Sequence, residues 1–177
     1  ISIPYFFAIN QDKNFTLTNK LYASENPLFT GEYHQVFKDS YLMVDLGYTE
    51  GYKKNDGQKK SGRRSHFFSN FVKDFEDIDG SKSSFSLSVQ DTSNDKYLKL
   101  YRVKSNLVDY EKDNLESILN FTHENEDLFL GFNAAVYETL KDTYNDKYEY
   151  ILPELTIDKN LFSNNELGNL DLQTNFK

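Results

Sequence analysis

The segment Ser84-Phe85-Ser86-Leu87-Ser88-Val89-Gln90 alternates strictly between polar and apolar side chains. Its three apolar side chains lie on one side of an extended chain, because successive residues of a β-strand point to opposite faces. The same period of two recurs in Tyr41-Leu42-Met43-Val44-Asp45-Leu46-Gly47-Tyr48 and in residues 128–136. This pattern predicts strands with one apolar face and one polar face, which is typical of antiparallel sheets.

Alternation along the whole chain predicts eleven strands, separated by segments rich in Asn, Asp, Ser, Gly and Pro. No stretch shows a convincing helical period. The expected fold class is therefore all-β, an antiparallel up-and-down meander over residues 1–177 with no internal domain boundary. The predicted strands are 2–9, 14–22, 28–37, 41–50, 65–75, 83–91, 97–103, 115–123, 128–138, 147–157 and 168–177.

Two architectures fit such a meander equally well. In a soluble sandwich the apolar faces of two sheets meet, whereas in a membrane barrel they face lipid and the polar faces line a wet lumen. Tyrosines near predicted strand ends would suit the aromatic belt of a membrane protein. They are Tyr48, Tyr97, Tyr137 and Tyr148.

The composition excludes several classes of protein. The formal net charge is −8, which argues against a nucleic-acid partner, because phosphate binding needs clustered positive charge. Cysteine is absent, so the chain has neither disulfides nor thiolate metal sites. No apolar run approaches the ~18 residues of a transmembrane helix. The chain begins at Ile1 in a strand-like run, and we interpret it as an excerpt from a longer protein.

Catalytic and metal-binding motifs find no support in the sequence. The three histidines, His34, His66 and His123, are too far apart to match a metal-ligand spacing, so they are interpreted as isolated surface or lumen residues. Residues 77–80 resemble a fragment of a calcium loop, but the required acidic positions are not acidic. We therefore expect no enzyme activity, no metal and no cofactor. Residues 51–65 form a basic insertion, interpreted as a solvated loop with lipid or partner contact as the alternative.

Several blocks resemble the barrel portion of the lipopolysaccharide-assembly outer-membrane protein family, LptD, also called organic solvent tolerance protein. They occur in family order across roughly residues 1–157, and their order and spacing carry the resemblance. Asn19 departs from the family pattern, which usually has Pro there, and His34 stands where Arg is usual. The blocks are Ile3-Pro4-Tyr5-Phe6-Phe7-Ala8-Ile9 with Asn14-Phe15-Thr16-Leu17-Thr18, Glu25-Asn26-Pro27-Leu28 with Glu32-Tyr33-His34-Gln35, Arg63-Arg64-Ser65-His66-Phe67-Phe68, Asp91 to Leu98 with Tyr101, Leu115 and Ser117, and Ile151-Leu152-Pro153-Glu154-Leu155.

The resemblance implies the N-terminal strands of a large transmembrane β-barrel in the outer membrane of a Gram-negative bacterium. The implied function is assembly of lipopolysaccharide into the outer leaflet, without covalent chemistry. The implied partners are lipopolysaccharide, outer-membrane lipid, a plug lipoprotein inside the barrel, and a periplasmic bridge protein that acts through an N-terminal domain absent from this chain. The alternatives are another outer-membrane barrel, such as a diffusion channel, and a soluble β-sandwich that acts in adhesion or carbohydrate binding.

Site residues follow from the two faces and from the resemblance. The resemblance makes Pro4 the lateral-gate candidate, because family prolines in the first strands, which have no N–H to donate, weaken pairing at the seam of the barrel. An ordinary strand-start proline is the alternative. The apolar alternating residues are expected to face lipid: Leu42, Val44, Leu46, Phe85, Leu87, Leu130 and Phe132. The polar alternating residues are expected to face the lumen: Asp45, Ser84, Ser86, Ser88 and Asn133.

Overall fold

The computed structural model describes residues 1–23, 25–51, 61–76, 80–141, 146–164 and 168–177. In these residues the chain forms ten β-strands and one short α-helix. The elements are β1 (Ser2–Asn10), β2 (Lys13–Lys20), β3 (Leu28–Val36), β4 (Ser40–Gly51), β5 (Ser61–Glu76), β6 (Lys82–Thr92), α1 (Tyr97–Tyr101), β7 (Asn114–Glu124), β8 (Leu128–Thr139), β9 (Tyr148–Asn164) and β10 (Gly168–Phe176).

All ten strands belong to one sheet, in the order β1 to β10 along the chain. Each strand pairs antiparallel with its sequence neighbour. Within the described residues β1 and β10 are the two edges of the sheet, so the sheet is not closed. The all-β, up-and-down antiparallel fold class is confirmed.

Ten of the eleven predicted strands match observed strands, but the strand predicted at 97–103 is wrong. Its first five residues form helix α1, which buries Tyr97, Leu98 and Tyr101 and exposes Lys99 and Leu100. These buried residues are the first, second and fifth of the helix. Over only five residues, the apolar pattern of a helix cannot be distinguished from the alternation of a strand. The helix therefore forms in a segment where the sequence shows no convincing helical period.

Strand connections at the two ends of the sheet differ in length. One end carries residues 11–12, 37–39, 77–81, 125–127 and 165–167, connections of two to five residues. The other end carries residues 21–27, 52–60, 93–113 and 140–147, connections of seven to 21 residues. We call these the short-connection end and the long-connection end.

Two strands run further than their sequence pattern predicts, since β5 begins at Ser61 and β9 continues to Asn164. Arg63 and Arg64 of the basic insertion consequently lie in β5, whereas residues 52–60 lie outside the described residues. So do residues 77–79 of the calcium-like fragment. Gly80 adopts a positive φ of 83°, as expected for a glycine in a tight connection.

The packed apolar core lies at the long-connection end of the sheet. It combines residues of the connection 93–113 with strand residues from β3, β5 and β7 and with Leu140. No helix in the described part of the chain is long and apolar enough to cross a bilayer. The core residues are Leu28, Phe68, Tyr97, Leu98, Tyr101, Val103, Val108, Leu115 and Leu140.

Candidate functional site

The candidate functional site is the polar face of the sheet. Residues opposite each other on paired strands share a face, so the strand register assigns every side chain. Asp45 pairs with Phe68, and Phe68 pairs with Gln90, which lies on the same side of β6 as Ser84, Ser86 and Ser88. Ser86 pairs with Asn120, and Asn120 with Asn133. The five lumen-facing candidates therefore share one face.

The seven residues predicted to face lipid share the opposite, apolar face. One row runs Leu42, Phe71, Leu87, Leu119 and Ala134, and another runs Phe85, Phe121, Phe132 and Leu155 across four strands. This face is uncovered: Leu46 is 47% exposed and Phe67 is 41% exposed. Burial of apolar surface is the main driving force of folding in water, so a face of this kind calls for an apolar surrounding.

The polar face is open at the short-connection end. A cavity of about 780 Å³ lies there. Asp74, Ser84 and Thr122, which pair in one row across β5, β6 and β7, contribute to its wall. Glu124 and the ring of Phe129 add to the wall, and the ring packs over Gly131, where a Cβ carbon would come within 3.2 Å. This half of the polar face is therefore an open, concave surface with carboxylate, hydroxyl and ammonium groups.

At the long-connection end the polar face is covered by residues 93–113, which we call the cap segment. Helix α1 lies in this segment, and Tyr97, Leu98 and Tyr101 pack against Leu28 and Phe68 of the sheet. The last turn of the helix ends at Arg102, which adopts a left-handed backbone with φ of 46°. Its N–H donates to the carbonyls of Leu98 and Lys99. The chain then turns back toward β7.

A buried hydrogen-bonded triad joins the cap segment to the sheet. His66 Nε2 lies 2.7 Å from Asp45 Oδ1, and His66 Nδ1 lies 3.1 Å from the Tyr97 hydroxyl. The side chains are nearly inaccessible, with Asp45 2%, His66 3% and Tyr97 0% exposed. In the tautomer that fits these contacts, Nε2 donates to the carboxylate and Nδ1 accepts from the hydroxyl. Each of the three side chains thus has a hydrogen-bond partner within the triad.

This triad changes the interpretation of two sequence predictions. Asp45 lies on the predicted polar face, but it is buried in the part that the cap segment covers, and so does not line open space. The interpretation of His66 as an isolated surface or lumen residue is wrong, because Asp45 and Tyr97 both bond to it. Tyr97 belongs to this core and cannot join an interfacial belt, whereas Tyr48 and Tyr148 are exposed.

The surroundings of Tyr97 affect its ionisation. Burial, assisted by the nearby carboxylate of Asp45, raises the pKa of the Tyr97 hydroxyl well above its ordinary value. The hydroxyl therefore stays protonated and able to donate to His66 throughout the physiological range. The triad has no access to solvent, so it is suited to holding the cap segment in place, and a catalytic role would need a substrate to reach it.

Further contacts fasten the cap segment to its neighbours. The Lys20 ammonium donates to the Arg102 carbonyl at 3.4 Å, and the rings of Tyr22 and Tyr101 pack edge to face with centroids 5.6 Å apart. Two groups of ion pairs link the cap segment to residues 140–147, which connect β8 and β9. Asp113 accepts from Lys99 and Lys141, and Lys147 lies 2.9 Å from Asp95 and 2.8 Å from Glu138.

Pro4 lies in β1, at one edge of the sheet, opposite Thr18. Ile1 and Leu21 exchange both of their backbone hydrogen bonds. Because hydrogen-bonded and non-bonded pairs alternate along an antiparallel ladder, Pro4 and Thr18 form a non-bonded pair. The Pro4 nitrogen consequently points to the free edge. The missing N–H leaves pairing with β2 intact and removes a donor from the outer edge of the sheet.

The structure offers no metal centre in its described residues, where no group of three or more histidine or acidic side chains could hold an ion. His123 is instead hydrogen-bonded to the Ser83 hydroxyl at 2.8 Å. No protein-family model matches the chain, and no curated protein matches it significantly.

The sequence alone did not predict the structural roles of His66, Gly47 and Tyr97, which meet where the cap segment contacts the sheet. The available signal was a glycine inside a predicted strand, because Gly47 lies between Asp45 and Thr49 on the polar face of β4. A glycine inside a strand often marks the close approach of another group. Here that group is the His66 ring, which a Gly47 Cβ carbon would meet at 2.2 Å.

Proposed function

We propose that this chain is the N-terminal part of an outer-membrane β-barrel that assembles lipopolysaccharide into the outer leaflet, as the resemblance to the LptD family implies. In this proposal the apolar face contacts outer-membrane lipid, and the polar face lines the lumen, where a plug lipoprotein also binds. A periplasmic bridge protein delivers the cargo through a domain outside this chain. The cargo moves without covalent chemistry.

The observation that carries the proposal is the inversion of the two faces. Large apolar side chains stand exposed on one face of the sheet, whereas Leu28 and Phe68 are buried on the polar face, beneath the cap segment. A water-soluble protein would gain about 25 cal/mol for each Å² of apolar area that it removed from water. An apolar medium such as a bilayer removes the cost of exposing that area, and this supports a membrane environment.

The lengths of the strand connections also support a membrane environment. Bacterial outer-membrane barrels have short periplasmic turns and longer extracellular loops. The sheet has this asymmetry, with connections of two to five residues at one end and of seven to 21 at the other. We therefore assign the short-connection end to the periplasm and the long-connection end to the outside of the cell.

A soluble β-sandwich would need a second sheet over the apolar face, and the ten strands of the described residues all belong to a single sheet. A diffusion channel would have the same two faces as a lipopolysaccharide translocon, so it is the second candidate. The outer edge of β1 favours the translocon over the diffusion channel. The Pro4 nitrogen weakens the outer edge of β1, which suits a seam that opens sideways for a lipid.

Photocrosslinking in living cells tests the proposal. A photoreactive amino acid is placed in the full-length protein at Ser86 and at Asn133, which share the polar face, and at Val44 and Leu87 on the apolar face as matched controls. Asp45 is a poor site for this purpose because it is buried. Lipopolysaccharide adducts are expected at Ser86 or Asn133, and they should disappear when the supply of lipopolysaccharide is interrupted.

Other outcomes discriminate among the candidates. An outer-membrane protein that gives no adduct at either polar site, but admits small solutes after reconstitution, would be a diffusion channel. A full-length protein that is monomeric and soluble without detergent would contradict the membrane assignment altogether.

A further inference from the structure

Charged strand residues at the short-connection end are divided between the two faces of the sheet. In this half, the charged residues that the described strands carry on the apolar face are Lys13, Lys73 and Lys159. The carboxylates of Asp74 and Glu124, in the same half, lie on the polar face. The strand residues therefore give the apolar face a positive charge at this end, although the chain as a whole has a net charge of −8.

Lys73 indicates where the hydrocarbon layer of a membrane would end. Its backbone lies opposite Phe85, in a row that continues to Phe121. Its ammonium lies over the ring of Phe75, 4.6 Å from the ring centroid. Because Phe75 is one row nearer to the short-connection end, the Lys73 side chain extends from an aromatic row toward that end. Lysines take this course when their stem lies in hydrocarbon and their charged head reaches the interface.

Two polar side chains lie in the row that the Lys73 ammonium reaches. Ser83 is opposite Phe75 on one side and opposite His123 on the other. The Ser83 hydroxyl oxygen is 2.8 Å from His123 Nδ1. With a neutral imidazole the pair has two donors, one O–H and one N–H, and the bond between the side chains uses one of them. In either tautomer the other donor is left for a further acceptor.

We propose that Lys73, Ser83 and His123 bind the phosphate of an anionic phospholipid in the periplasmic leaflet of the membrane. This inference rests on the membrane assignment in the proposed function, and it deepens that assignment by naming a lipid class and the residues that hold it. An ammonium beside a neutral donor suits a phosphodiester, which offers both negative charge and acceptor oxygens. The acyl chains of the same lipid would extend over the adjoining apolar rows, where Leu87 and Phe121 are exposed.

Charge complementarity selects this occupant for the apolar face. An anionic phospholipid presents a negative group to Lys73 and acyl chains to the apolar rows beside it, so one molecule satisfies both parts of the surface. Membrane surfaces that contain anionic lipid attract basic residues placed close to them. A free phosphate ion would satisfy the donors alone and would leave the apolar rows uncovered.

Local photocrosslinking with a defined lipid tests the site. A photoreactive amino acid replaces Leu130, which is opposite His123 in the same row, and the full-length protein is purified in a non-ionic detergent. Phosphatidylglycerol is then titrated in, and the lipid adduct at position 130 gives the half-saturating concentration. Lys73→Gln should raise this concentration about fivefold, and Lys73→Arg, which keeps the charge, should leave it nearly unchanged.

Lys82→Gln is the matched control. Lys82 adjoins Ser83 in β6 but lies on the polar face, so its loss should leave the half-saturating concentration unchanged. An equal increase in Lys82→Gln and Lys73→Gln would overturn the site, because general attraction between the protein and the lipid would then explain binding. An unchanged concentration in Lys73→Gln would overturn it as well.

Two further arms separate the remaining explanations. Displacement of phosphatidylglycerol by an equal concentration of inorganic phosphate would reveal a site for the free ion and overturn the lipid assignment. His123→Leu removes a polar partner while keeping an apolar surface, and it should also weaken binding. It replaces Lys73→Gln if that variant fails to accumulate, and binding as tight as in the unchanged protein would then contradict the site. A full-length protein that is soluble without detergent would instead contradict the proposed function, so the two failures are distinguishable.

Discussion

Gly47 and His66 are directly opposite each other on β4 and β5, and the His66 ring occupies the space that a side chain at position 47 would need. A Cβ carbon on Gly47 would come within 2.2 Å of His66 Cε1 and within 2.6 Å of the Tyr97 hydroxyl oxygen. The absence of a side chain at position 47 therefore allows the sheet and the cap segment to meet.

Gly47→Ala should destabilise the folded protein by about 1–3 kcal/mol, the usual cost of overpacking a tight site. The reason is that His66, which is buried and bonded on both nitrogens, has little room to move away. Thermal unfolding of the purified full-length protein in detergent measures this cost. Gly131→Ala is the control, since its Cβ carbon would approach the Phe129 ring no closer than 3.2 Å. Equal losses in both variants would contradict the close fit at Gly47.

Leu87→Arg should be far more damaging than Ser88→Arg, although the residues are adjacent in β6. Leu87 lies on the apolar face near the middle of the strand, and Ser88 lies on the polar face. An Arg at the bilayer midplane costs about 2–4 kcal/mol on the lipid side of a barrel. The folded fraction in a membrane-folding titration measures the difference. Equal tolerance of the two substitutions would remove the membrane assignment.

Alkaline pH should loosen the cap segment through Tyr97. Its pKa is raised in the folded state by burial and by Asp45, so above the ordinary value of 10.0 the unfolded state loses its proton first. Stability is then fully present below about pH 10 and falls as pH rises further. The neighbouring Tyr101 and Tyr22 side chains also raise the pKa of Tyr97. Unfolding measured at pH 8 and pH 11 should show the fall.

Tyr97→Phe provides the matched variant for this pH dependence. It removes the hydroxyl bond to His66, so it should cost about 1 kcal/mol at pH 8. It also removes the titrating group, so its loss of stability between pH 8 and pH 11 should be smaller than that of the unchanged protein. An identical loss in both proteins would show that other groups control the alkaline transition.

Pro4→Ala should strengthen the outer edge of β1. The substitution adds an N–H that points away from β2, at a place where pairing with β2 is already complete. If this edge is a seam that opens for lipid, release of lipopolysaccharide to the cell surface should slow several-fold. Ser2→Ala, which keeps its edge-facing N–H, is the control. Surface lipopolysaccharide appearing at the same rate in both variants would argue against a gate at Pro4.

The strands and their faces could be predicted from sequence because alternation is a local property. In β6, Phe85, Leu87 and Val89 share a face whatever the strand pairs with. Helix α1 could not be predicted, because its five residues are equally compatible with both periods, and packing against Leu28 and Phe68 decides between them. Local pattern therefore sufficed only where tertiary contacts agreed with it.

The triad could not be predicted because Asp45 and His66 meet only through the register of β4 and β5. Residues 52–60 join these strands, and a connection of that length does not fix the pairing as a tight turn does. A shift of one residue would have placed His66 on the apolar face. The third member, Tyr97, arrives from beyond β6 and depends on the fold of the cap segment.

The order of the elements along the chain has a consequence for assembly. Every strand pairs with the one before it, so the sheet can grow hairpin by hairpin, and no step has to close a loop longer than the 21 residues of the cap segment. The cap segment follows β6, and the surfaces that receive it on β3, β4 and β5 are complete by then. Folding from the N-terminus would therefore form the strands that carry Leu28, Gly47 and His66 before the cap segment is made.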